Sequence, residues 1–162
     1  MNRDENSLDE DENGTIGKIV VIGGESGSVQ LIDLRDRSVL NSTKLDSAVN
    51  TVKFIDENSI AVGTENGKLR ILSVPDLKIL AEKHDSDSSL ECVLPLKNGI
   101  LCGKYDGACV WYPFNGTKFG TEVLILTGAD VDPIHALVQD EDFVYTAARD
   151  GIIRKYIKRD MF

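Results

Sequence analysis

The sequence predicts an all-β fold, a partial ring of about four blades, each blade a four-stranded antiparallel sheet. Three observations predict it. Residues 21–27, 61–67, 101–107 and 145–151 align with one another without gaps, and their final glycines, Gly27, Gly67, Gly107 and Gly151, fall 40, 40 and 44 residues apart. Each segment runs from small and apolar residues into a polar turn closed by glycine, and an alternating strand such as Lys68-Leu69-Arg70-Ile71-Leu72 follows. That order is a hairpin signature. Finally, no stretch sustains the 3.6-residue apolar period of a helix.

The turn glycines are structural, because glycine enters positive φ at no steric cost while Ser26, Asn66, Asp106 and Asp150 before them bond the local backbone. A further strand precedes the second, third and fourth hairpins, at residues 49–55, 90–96 and 134–138, and another follows the first and second, at residues 38–44 and 77–83. Four antiparallel strands at a period near 40 match a WD40-type β-propeller blade, whose repeat is about 40 to 45 residues. The WD dipeptide itself is replaced: the tryptophan position holds Ile32, Leu72, Tyr112 and Tyr156, and only Asp33 keeps the aspartate that should follow. Residues 16–162 therefore read as four divergent blades, the first without its inner strand and the last without its outer one. Residues 1–15 are acidic and polar, and such a composition predicts disorder.

Charge narrows the partners. The formal net charge is −9, and Asp4, Glu5, Asp9, Glu10, Asp11 and Glu12 contribute much of it; without that stretch 17 basic groups face 21 acidic ones. Nucleic acid and anionic membranes both need a basic face, so a basic protein partner suits the chain better. No apolar run approaches the roughly 20 residues of a membrane span, which places the chain in the cytoplasm, with the nucleus as a second compartment. Cys92, Cys102 and Cys109 fall in apolar strands with neither metal-ligand spacing nor partnering histidines, so they read as buried thiols.

Catalysis is not expected. His84, in a polar loop, and His135, in a strand, are the two histidines, and no acid–base constellation can be built on them. No cofactor or metal is implied. The carboxylates are more informative, because hairpin turns and inter-blade loops project onto one face of a propeller. That face carries Glu25, Asp46, Glu65, Asp85, Asp87, Asp106, Asp130, Asp132 and Asp150 against Lys104 and Arg149. Asp106 and Asp150 read as turn formers. The partner-binding candidates are Glu25, Asp46, Glu65, Asp85, Asp87, Asp130, Asp132 and Arg149.

One segment is distinctive: residues 126–133, reading LTGADVDP, followed by Val144-Tyr145-Thr146 and by residues 149–156, reading RDGIIRKY. Together they resemble the C-terminal part of the proteasomal ATPase-associated factor family of WD-repeat assembly chaperones. The specific match covers about residues 122–157, and residues 18–121 agree in blade order. The resemblance implies a non-enzymatic protein-binding module that acts in assembly of the proteasome regulatory particle by binding its ATPase subunits. The alternative is a generic WD-repeat scaffold that self-associates through its open blade ends as a homodimer of half-rings.

Overall fold

The computed structural model describes residues 18–126, 128 and 131–161; the disorder expected of residues 1–15 and the candidate Asp130 lie outside the described residues. Among the described residues there are fourteen strands and one short 3-10 turn, Lys158–Met161. They form four antiparallel sheets in an open, partial ring. The first blade is β1 (Ile19–Gly23), β2 (Ser28–Asp33) and β3 (Val39–Lys44). The second is β4 (Val49–Asp56), β5 (Ser59–Thr64), β6 (Lys68–Ser73) and β7 (Ile79–His84). The third is β8 (Leu90–Leu96), β9 (Gly99–Lys104), β10 (Cys109–Pro113) and the short β11 (Leu124–Leu126). The fourth is β12 (Ile134–Gln139), β13 (Phe143–Ala148) and β14 (Ile153–Ile157).

Each hairpin turns at the glycine the repeat marks, with φ of +84° at Gly27, +77° at Gly67, +87° at Gly107 and +78° at Gly151. A side chain there would be strained, and at Gly67 its Cβ would also meet the Ser86 carbonyl oxygen at 2.1 Å.

Period-two alternation then sorts side chains between the two junctions that a blade makes. In the second blade Ile60, Val62 and Leu72 pack back onto Val29 and Leu31 of the first. Ala61, Leu69 and Ile71 pack forward onto Val93, Ile100, Cys102 and Val110 of the third. Leu101 and Cys109 of the third blade pack forward in turn onto Ile134, Leu137 and Val144 of the fourth. Because both faces of β5 and β9 are covered, all their residues are buried, which is why these strands read as continuous small and apolar runs.

The junctions need a small residue where one middle strand receives the next inner strand. A Cβ on Gly23 would lie 2.3 Å from Val49 Cγ1, one on Gly63 would lie 3.0 Å from Leu90 Cβ, and one on Gly103 would lie 2.9 Å from Ile134 Cβ. Each seated residue is followed by a register shift, so Asn50, Glu91 and His135 are bulged at equivalent points of β4, β8 and β12. Overpacking such a contact costs about 1–3 kcal/mol. Gly103→Val should therefore lower stability by about 1–3 kcal/mol in urea unfolding; an unfolding midpoint equal to the parent's would show that the third and fourth blades do not meet at this contact.

Candidate partner-binding rim

The backbone builds the rim by tying each inter-blade loop to the hairpin turn that follows it, and the first loop to the turn before it as well. The loop after β3 is held to the preceding turn by Leu45 N–H donating to Gly27 O at 2.8 Å and Val49 N–H to Gly24 O at 3.1 Å. It is held to the following turn by Glu65 N–H donating to Ala48 O at 3.0 Å and Asn66 N–H to Ser47 Oγ at 3.1 Å. The next loop repeats this, with Tyr105 N–H donating to Ser89 O at 2.9 Å and Asp106 N–H to Ser88 Oγ at 3.2 Å. The last does so through Arg149 N–H and Pro133 O at 2.9 Å. Turns and loops thus alternate along one edge, which carries the described members of the carboxylate group, Glu25, Asp46, Glu65, Asp85, Asp87, Asp106, Asp132 and Asp150.

Their environments differ. Asp46 is engaged by Lys68 Nζ and Arg70 Nη2, both at 2.7 Å, while Arg70 also donates to Glu82 at 2.6 Å. The Lys68 ammonium and the Arg70 guanidinium hold the Asp46 carboxyl at about 2. Asp85, its side chain 34% exposed, accepts from Lys104 Nζ at 2.5 Å and from the Tyr112 hydroxyl at 2.5 Å. Burial pushes its pKa up, but Lys104 and Tyr112 outweigh that and leave it below the ordinary value. Tyr112 stands at the tryptophan position of the repeat, so Asp85 joins the second and third blades. Lys104, counted by sequence among the exposed charges of this face, is 2% exposed and spent on that contact.

Asp106 and Asp150 serve their turns, accepting from Ala108 N–H at 3.0 Å and Ile152 N–H at 2.9 Å, and Arg154 also reaches Asp150 at 2.5 Å. Asp132 faces Arg149 at 3.6 Å. Glu25 and Glu65 are exposed and have no ion pair among the described residues. Asp87, its side chain 95% exposed, touches the His84 ring at 3.1 Å. Glu25, Glu65 and Asp87 therefore present charge outward, whereas Asp46 and Asp85 are drawn into holding blades together.

Two rim residues were not among the sequence candidates, Tyr105 at 56% exposure and Val131 at 80%. Tyr105 was legible: it occupies the same repeat position, two before the turn glycine, as Glu25, Glu65 and Arg149. The cysteines are buried free thiols, and burial pushes Cys92 up to about 12, which leaves it protonated and unreactive.

With this geometry in view, comparison with known proteins adds relatives. No protein-family model matches the chain. Proteasomal ATPase-associated factor 1 of Gallus gallus is 28% identical over 158 residues, 97% of this chain and 39% of that protein. The Homo sapiens protein of that name is 28% identical over 153 residues, and the probable one of Dictyostelium discoideum 27% over 173. This chain resembles the proteasomal ATPase-associated factors. The likeness runs through all four blades, well beyond residues 122–157, although the chain spans only about two fifths of its relatives' length. Among solved structures, the computationally designed Ika4 protein superposes with a TM-score of 0.73 at 19% identity, covering 86% of this chain and 85% of its own. The designed Ika8 protein gives 0.72 at 18% identity, covering 86% of this chain and 43% of its own. These two speak to the fold alone.

Asp46 titrates at about 2 in the folded chain, below the roughly 3.9 of an unfolded aspartate. Its stabilising contribution is thus complete above about pH 4 and fades as pH falls toward 2. In melting curves across that window, Asp46→Asn should be less stable than the parent at neutral pH and lose less on acidification. Parallel curves for the two proteins would show that the Lys68 and Arg70 contacts contribute nothing.

Proposed function

We propose that this chain is a protein-binding module, without chemistry of its own, that acts in assembly of the proteasome regulatory particle by binding ATPase subunits through the turn-and-loop rim. The similarity to proteins named as proteasomal ATPase-associated factors supports the proteasome connection. The observation that carries the rim assignment is the outward display of Glu25, Glu65 and Asp87 on loops held by backbone hydrogen bonds. Loops on a rigid scaffold are where recognition residues concentrate, and fixed surface charge speeds encounter with a partner of opposite sign.

A second reading has its own observation. Positions that are covered at the internal junctions lie open at the two ends of the arc, with Ile22 46% exposed on the first blade and Ile153 73% exposed on the fourth. A scaffold that pairs half-rings would cover both.

Capture of purified proteasomal ATPase subunits on the immobilised chain tests the first reading. Binding should weaken steeply with added salt, and the triple variant Glu25→Gln, Glu65→Gln, Asp87→Asn should lose about tenfold or more in affinity with an unchanged melting temperature. Absence of capture by the parent, together with a stable dimer in sedimentation, would replace it with the scaffold.

A further inference from the structure

The tips of the four hairpins differ in chemistry along the arc. At the position two before the turn glycine stand Glu25, Glu65, Tyr105 and Arg149, so two acidic tips are followed by an aromatic one and then a basic one. The turn does not need an aromatic there, because the first two repeats form the same turn with glutamate. Tyr105 joins the scaffold through its backbone N–H, and the residue is left 56% exposed. Next along the rim, in the loop entering β12, Val131 is 80% exposed, the highest value among the exposed large apolar side chains of the described residues. Most other exposed apolar groups lie on outer strands, such as Val39, Ile79 and Ile125, or on the terminal blades, with Phe54 on β4 and Leu34 in the connection after β2. At the rim, among the described residues, Tyr105 and Val131 bring large apolar surface, and Ile152, 52% exposed just after the fourth turn glycine, adds to it.

Charge decides which kind of partner fits. The rim of the first two blades shows Glu25, Glu65 and Asp87 outward, whereas the far end is balanced by the pair Asp132 and Arg149. We infer that the rim takes a polypeptide segment of two parts, a basic stretch lying over the first two blades and an adjoining apolar side chain that covers Tyr105 and Val131. This deepens the binding role proposed above and rests on that reading. The two parts divide the work. Carboxylates in water steer encounter and act mainly on the association rate, while apolar area removed from water holds the complex together and acts on dissociation.

The test uses the full chain and two synthetic peptides in surface plasmon resonance, one with a lysine block followed by leucine and phenylalanine, the other with the lysine block alone. The first should bind more tightly. Glu25→Gln with Glu65→Gln and Asp87→Asn should slow association about tenfold at low salt with dissociation nearly unchanged, and Tyr105→Ser with Val131→Ser should do the reverse. Val131→Ser alone guards against loss of folding, and circular dichroism checks every variant. Equal binding of the two peptides, or a dissociation rate indifferent to Tyr105 and Val131, overturns the inference. An ATPase subunit run on the same surface separates the two ideas. If the peptides show the kinetic split but the subunit does not bind, the proposed function fails alone; if the subunit binds and ignores Tyr105 and Val131, this inference fails alone.

Discussion

Where one blade meets the next, a glycine of the middle strand admits the first apolar residue of the following inner strand: Val49 over Gly23, Leu90 over Gly63, Ile134 over Gly103. A larger residue at any of these glycines would push the inner strand outward and open the junction behind it. The apolar layers formed by Ile60, Val62 and Leu72, or by Ile100, Cys102 and Val110, reach packing contact with the preceding blade because this approach is close. The same constraint places the loops. A chain leaving an outer strand must enter the next inner strand at the glycine, so it crosses the same edge of the arc each time, between two hairpin turns.

The rim is therefore a by-product of packing, and its carboxylates divide according to how packing uses them. Asp46 and Asp85 lie where a loop touches the following blade, and the cations Lys68, Arg70 and Lys104 reach them from that blade. Arg70 and Lys104 are almost fully buried, and a buried cation without a counter-charge would be strongly destabilising. Glu25 and Glu65 sit at hairpin tips, where their side chains are exposed and make no ion pair among the described residues, although the Glu65 backbone N–H is bound to Ala48 O. Position in the repeat thus separates charge that holds blades together from charge left exposed on the rim.

Much of the fold was legible because its determinants are local. The turn glycines, the polar residue before each and the alternation after each are all properties of a few neighbouring residues, so the four hairpins and the strands before them lie within a residue or two of where the sequence puts them. What depends on distant partners was not legible. Strand β11 is three residues long, too short to carry a pattern, and is made a strand by its pairing with β10. The bulges at Asn50, Glu91 and His135 follow from the register of a neighbouring strand. Lys104 read as an exposed rim charge because nothing local reveals that Asp85 and Tyr112 wait beneath it. The outward carboxylates Glu25, Glu65 and Asp87 were legible from repeat position, whereas the exposure of Val131 is a property of its loop's path.

The central claim, that the chain meets its partner with the turn-and-loop edge, is tested most directly by amide hydrogen exchange of the chain alone and with a bound ATPase subunit. The account predicts added protection at the turns of residues 24–27, 64–67 and 104–107 and at the loop of residues 85–89, with β1, β14 and the outer strands unchanged. Protection confined to β1 and β14, leaving those three turns and that loop as they were, would contradict it and place the interface on the open ends of the arc.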